Sequence, residues 1–230
     1  MKKTILTLAI AAVASASALA QGTIAVYSTS GTFSTYTNSA TYNSSLNGVD
    51  NTTQSKAGTT ANSYYYALLF QTYTGTLNTI DPTSGAWNFG GYATNYLVAG
   101  GIRGAGAGSG APVTGWTAPT GAAYSSAAEN YYLLVGWSSN LGSTWSSVES
   151  QLASGTWSAQ GLFGTSALGY SYAGAGPSSL PAVNIFGVSG GAPGGLANGI
   201  TLYVTPTPEP GTMALAALGG ASLLLFRRRK

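Results

Sequence analysis

The 230-residue chain has no cysteine and no histidine, and only 6% of its residues are charged. Each absence excludes chemistry. Without cysteine there is no disulfide staple, no thiol nucleophile and no thiolate metal site. Without histidine the usual general base, the commonest transition-metal ligand and every Ser-His-Asp triad are gone. A typical soluble domain carries roughly 25% charged residues, so this surface must be solvated by other groups. The chain holds 33 glycines and 15 tyrosines, and Ser, Thr and Asn fill most remaining polar positions. That is not the profile of a charge-solvated disordered chain. It fits an extracellular β-rich protein covered by hydroxyls and amides, long enough for one domain plus additional segments.

The net charge of +3 comes from the ends. Lys2, Lys3, Arg227, Arg228, Arg229 and Lys230 are terminal. Between residues 21 and 205 only Lys56 and Arg103 remain, against Asp50, Asp81, Glu129 and Glu149, a net of −2. Nucleic-acid binding needs clustered cations to neutralise phosphates, so no nucleic-acid partner is expected.

The N-terminus, MKKTILTLAIAAVASASALAQ, has a basic start at Lys2 and Lys3 and a short apolar stretch from Ile5 to Val13. Ala18 and Ala20 then offer small residues where a signal peptidase requires them. This pattern predicts a signal peptide over 1–20, cut before Gln21. An uncut membrane anchor fits less well, because the apolar stretch is short.

At the other end, Gly211 to Phe226 is free of charge. A helix of that length reaches roughly 24 Å, slightly short of the ~30 Å hydrocarbon core. It cannot be extended backwards, because Pro206, Pro208 and Pro210 would break it. The basic residues 227–230 then act as a stop, expected to stay cytoplasmic. A buried core helix seldom ends in four consecutive cations. The expected division is therefore 1–20 signal peptide, 21–204 exported domain, 205–210 proline-rich linker and 211–230 membrane helix with basic tail.

Pro208-Glu209-Pro210, a short apolar helix and the cluster Arg227, Arg228, Arg229 and Lys230 together resemble the PEP-CTERM sorting signal of Gram-negative bacteria. The resemblance covers about the last 25 residues. It implies export across the inner membrane and recognition by an exosortase, a membrane transpeptidase acting near the Pro-Glu-Pro element. It also implies association with exopolysaccharide and biofilm, at the cell surface or in the extracellular matrix. A Leu-Pro-x-Thr-Gly signal is absent, and a GPI signal normally lacks the basic end.

Between the ends, strand-like runs alternate with turn-rich spacers. Residues 22–29 place Ile24 and Val26 on one face. Residues 64–73 are apolar on both faces, with Tyr64, Tyr66, Leu68 and Phe70 opposite Tyr65, Ala67 and Leu69, as in a strand buried on both sides. Residues 95–102, 131–137 and 183–188 read as similar strands. Residues 199–205 alternate, with Ile200, Leu202 and Val204 inward and Thr201, Tyr203 and Thr205 outward. One segment has helical spacing: Trp145, Val148 and Leu152, with Ser146 and Glu149 at capping-box distance and Gly155 as terminator. It predicts a helix over about 144–153, packed on a sheet edge. The glycine-rich residues 99–112 lack the Gly-Lys-Ser/Thr ending of a phosphate loop and read as a loop; residues 189–195 read as a turn. The fold expected is a mainly β, antiparallel β-sandwich with one short helix.

Catalysis has little to work with. A glycosidase needs two carboxylates. Asp81 before Pro82 reads as a turn residue, Glu149 as a capping partner and Asp50 as part of an Asn/Ser/Thr-rich loop. Glu129 is the best single candidate. Calcium would want several clustered carboxylates, so no metal and no cofactor are expected, and a non-enzymatic role is. Aromatics are more numerous. Trp87, Phe89, Tyr92 and Tyr96 lie within ten residues, and Trp116, Trp137, Trp145 and Trp157 follow. Most such rings fill a β core. Trp87 and Trp116, in the most loop-like contexts, are the candidates for stacking on a sugar, which makes a carbohydrate-binding module the alternative function. Trp137, inside a strand, belongs to the core.

Overall fold

The computed structural model describes residues 21–28, 33–38, 55–56, 62–77, 80–96, 98, 100–104, 110–174, 180–187 and 191–206. The expected signal peptide, membrane helix and basic tail lie outside the described residues, as does Asp50. The elements are β1 (Gln21–Ala25), β2 (Tyr27–Ser28), β3 (Thr35–Thr37), β4 (Ser55–Lys56), β5 (Tyr64–Thr72), β6 (Asn88–Asn95) and β7 (Ile102–Gly104). They continue with β8 (Ala111–Thr117), β9 (Asn130–Ser138), α1 (Trp145–Ser154), β10 (Leu162–Thr165), β11 (Gly169–Ser171), β12 (Val183–Asn184) and β13 (Ile200–Val204). The protein is mainly β with one short helix.

The two longest strands, β5 and β9, form the middle of the larger sheet. Their nine register pairs run from Tyr64↔Ser138 to Thr72↔Asn130. From there the sheet extends in the order β2-β7-β6-β5-β9-β10-β13-β3-β4, with β11 also on β9. A smaller sheet has the order β12-β1-β8. Most pairs are antiparallel, but β1 with β12 and β13 with β3 run parallel. The pairing is therefore mainly antiparallel, as the sequence predicts, with two parallel pairs that make the sheets mixed. Parallel partners need long connections, and hydrophobic alternation carries no strand direction.

The alternation in β5 places its side chains as expected. Tyr64, Tyr66, Leu68 and Phe70 enter one cluster, and Ala67 and Leu69 enter another, with Tyr65 packed beside them. The first cluster also draws Ile102 from β7 and Ile200 and Leu202 from β13. Residues so far apart in strand order meet because the large sheet curls around them. The smaller sheet closes this inner core with Ile24, Val113, Trp116 and Val183. The second cluster lies on the outer face, where Trp145 and Val148 of α1 cover Leu69, Leu133, Val135 and Trp137. The helix thus packs on the face of the central strands, not on a sheet edge. Those strands are apolar on both sides and need a lid on each.

The helix start also differs from the capping-box reading. Thr144 is the N-cap and makes no side-chain cap bond. Ser146 already lies inside the helix, so it cannot cap it. Instead Tyr92 of β6 accepts a 2.8 Å hydrogen bond on its hydroxyl from the Trp145 N–H. The terminator is as expected: Gly155 is left-handed at φ 65°, and its N–H reaches the carbonyls of Gln151 and Leu152.

Two strand boundaries move. Residues 95–102 are not one strand: β6 ends at Asn95 and β7 begins at Ile102, and between them the Tyr96 N–H is bonded to Gly101 O at 2.9 Å and the Gly101 N–H to Val98 O at 2.8 Å. Gly100, at φ 76°, allows this reversal. The strand before it is 88–95, masked in the sequence by Gly90-Gly91. There the register shifts: Leu68 faces Gly91, but Leu69 faces Phe89, which leaves Gly90 as an extra residue. At the end of the fold, Thr205 is buried rather than outward. Its N–H donates to Gly161 O at 2.8 Å, and its Oγ1 accepts from Gly161 N–H at 2.9 Å. The packed unit therefore includes Thr205, the first residue of the expected linker.

Candidate functional site

The two tryptophans singled out as ligand contacts have different fates. Trp116 is 1% exposed. Its ring stacks on Phe70 at 5.2 Å and lies 6.2 Å from Tyr132. It is a core residue of β8, and the expectation that it contacts a ligand is corrected. Pro112 and Gly115 gave its segment a loop-like look, yet β8 pairs with β1. Trp137 is fully buried, with its indole N–H bonded to Gly142 O.

Trp87 is half-buried just before β6. Its indole N–H donates to Asp81 O at 2.9 Å. Asp81 organises that turn, since its Oδ1 accepts from the Thr83 N–H at 2.9 Å and hydroxyl at 2.8 Å. These bonds hold the Asp81 carboxyl below its ordinary range. Phe89 and Tyr92 are 44% and 40% exposed, with ring centres 4.5 Å apart. The extra Gly90 explains their company. Residues three apart on a regular strand point to opposite faces. The bulge sets Phe89 opposite Leu69 and Tyr92 opposite Ala67, both on the outer face. Trp87 packs against the same outer cluster. Trp87, Phe89 and Tyr92 therefore form one aromatic patch beside α1. The sequence shows their proximity but not the bulge that aligns them.

A second aromatic group lies where β5 ends and β9 begins. The Tyr73 ring centre is 4.6 Å from that of Tyr131 and 5.5 Å from that of Tyr170. Glu129 is adjacent, and its carbonyl accepts from the Tyr73 N–H at 3.0 Å. Burial raises the Glu129 carboxyl above its usual range. Burial also raises the Tyr131 phenol, helped by Tyr73 and then Glu129. This group was not foreseen, because strand register alone joins residues so distant in sequence.

A third feature is a shallow groove of about 350 Å³, lined by Trp157, Phe163, Tyr203 and Pro206 among others. It sits where β13 leads towards the tail. Among the described residues no three Asp or Glu side chains converge as a metal site. Asp81, Glu129 and Glu149 sit on a turn, before β9 and on α1 respectively.

Gln21 opens β1 and faces Thr117. The other processing residues, Ala18, Ala20, Pro208, Glu209, Pro210, Arg227, Arg228, Arg229 and Lys230, lie outside the described residues. No helix among the described residues is long and apolar enough to cross a membrane, and 211–226 lie outside them.

Residues 206–230 match the PEP-CTERM protein-sorting motif. No curated protein matches the chain, and no solved structure does. The motif defines a class: exported proteins that are membrane-anchored before processing by an exosortase-type system. This chain carries that signal next to a β body in which Thr205 is hydrogen-bonded to Gly161.

Proposed function

We propose that the chain is a non-enzymatic protein of the cell surface or extracellular matrix, associated with exopolysaccharide and biofilm in a Gram-negative bacterium. A signal peptide cut after Ala20 starts its export. The helix 211–226 holds it in the membrane, with Arg227 to Lys230 initially cytoplasmic, until the exosortase acts. The observation that carries the reading is the sorting motif at 206–230. The charge-poor body supports it, since hydroxyls and amides suit association with neutral polymer.

Cell fractionation of the full-length chain and of a truncation after Thr205 tests the reading, with mass spectrometry of both mature termini. The full chain should pass through a membrane-bound form, and the truncation should be released. A mature N-terminus at Gln21 is expected, and intact Met1 on exported protein would overturn the signal-peptide assignment. Neutral residues at 227–230 should cause leakage through the membrane; unchanged retention would refute the stop-transfer role.

A second reading, a carbohydrate-binding module, is favoured by the exposed Phe89 and Tyr92 rings beside the half-buried Trp87. Affinity electrophoresis in gels containing the producing cell's exopolysaccharide tests it. Retardation should be lost in Trp87→Ala and Phe89→Ala with folding intact. No retardation of the wild-type chain would remove this reading.

A further inference from the structure

The Tyr73, Tyr131 and Tyr170 group has a geometry that ordinary core packing does not require. Tyr73 follows the last register pair of β5 with β9, Thr72↔Asn130. Its N–H bond to Glu129 O continues that ladder by one step. Tyr131 faces Gln71, so Tyr73 is its diagonal neighbour on the same face, within reach for aromatic side chains. The two ring centres are 4.6 Å apart and the planes are inclined at 42°. That separation is close to the one two directly bonded phenol rings have. Tyr170 stands on the other side, directly opposite Tyr131 in register. Its ring lies over Gly194, where even a Cβ would collide with it. Tyr73 is thus the ring that meets both neighbours, Tyr131 at 4.6 Å and Tyr170 at 5.5 Å; Tyr131 is buried, while Tyr73 is 37% exposed and open to a reagent.

We infer that Tyr73 and Tyr131 form an oxidative cross-linking site, at which a peroxide-driven one-electron oxidant joins the two rings as a dityrosine. Each phenol loses one electron and one proton to give a phenoxyl radical. The radicals combine through ring carbons next to the hydroxyls, and a new carbon–carbon bond forms. Each coupled ring then moves its carbon-bound hydrogen to oxygen, which restores both phenols. The net loss of two hydrogen atoms is balanced by reduction of one hydrogen peroxide to two waters. Tyr73 takes the first oxidation because it is the exposed member, and Tyr131 is the partner because its ring is nearer than that of Tyr170. The link would brace the end of the β5–β9 ladder, where strands otherwise fray. Disulfide bracing is closed to a chain without cysteine.

The test treats the full-length chain with hydrogen peroxide and a haem peroxidase, then maps linked peptides by mass spectrometry in the monomeric fraction. One dominant linked pair, Tyr73 with Tyr131, lighter by two hydrogen atoms, is expected. Tyr73→Phe and Tyr131→Phe, which keep the rings and the fold, should each abolish it. Tyr203→Phe, which removes a phenol that is 55% exposed, should leave its yield unchanged. Oxidised wild type should also unfold at a higher temperature than Tyr73→Phe treated in the same way. Absence of dityrosine in the monomer would overturn the inference. So would links spread over the exposed tyrosines, or a dominant Tyr73–Tyr170 link.

Discussion

Trp87 and Trp116 carry opposite loads, and substitution should separate them. Trp116 fills the space between the two sheets, so Trp116→Ala should cost about 3–5 kcal/mol in chemical denaturation. Trp87→Ala removes a half-buried ring at the surface and should cost clearly less. Equal losses would mean that Trp87 is as much a core residue as Trp116. Gly164 is a different kind of constraint. A Cβ there would collide with the Thr201 carbonyl of neighbouring β13, a backbone atom that cannot swing aside. Overpacking of this kind costs roughly 1–3 kcal/mol, and Gly164→Ala should lose at least that. Glu129 gives a pH signature. Burial raises its folded pKa above the unfolded value, so the folded state binds the proton more tightly. Its contribution favours folding below the unfolded pKa and is lost as pH rises through the folded one. Glu129→Gln should therefore raise the melting temperature slightly at neutral pH and leave it unchanged in acid. A stabilisation that persists in acid would point to a cause other than ionisation.

Among the elements, the helix is the sharpest case. Spacing revealed its existence, its apolar residues Trp145 and Val148, and its end at Gly155. Its cap could not be read locally, because the hydrogen-bond acceptor at Trp145 N–H is the hydroxyl of Tyr92, 53 residues away. Tyr92→Phe should cost roughly 0.5–2 kcal/mol, the range for losing an N-cap acceptor. Ser146→Ala should be nearly neutral. The reverse order would restore the capping box. Gly155→Ala forces a Cβ into a left-handed position and should cost about 1–2 kcal/mol. In the central strands, Leu69→Ala and Leu134→Ala should each lose about 2–5 kcal/mol. They lie on opposite faces of the larger sheet, so their effects should add. The β6 strand shows the limit of pattern reading. Two glycines interrupt alternation, and the bulge they make turns Phe89 to the same side as Tyr92.

For the whole molecule, the larger sheet curls about one core and carries its helix on the opposite face. Far-UV circular dichroism of the exported protein should be β-dominated with a small helical contribution. A mostly helical spectrum would contradict the fold. The body carries a net −2 between residues 21 and 205, so Coulomb attraction contributes little to any polysaccharide contact. Binding by the outer aromatic patch should survive raised salt, because little interaction is available to be screened. A steep loss of retardation with salt would instead implicate the basic tail.

The sequence by itself determined the sorting signal of this protein and the chemistry its residue types exclude. A sorting signal is read as a linear order of proline, apolar helix and cations, so it needs no fold to be legible. The two-faced burial of β5 and β9 was equally legible, because side chains alternate along any strand. Tertiary structure decided what depends on register and on distant partners. It buried Trp116 between the two sheets, placed the helix over the central strands and supplied its cap from Tyr92. It tied Thr205 to Gly161 and brought Tyr73 against Tyr131. Each of these is a contact between residues far apart in the chain, and periodicity holds no information about which strand lies beside which.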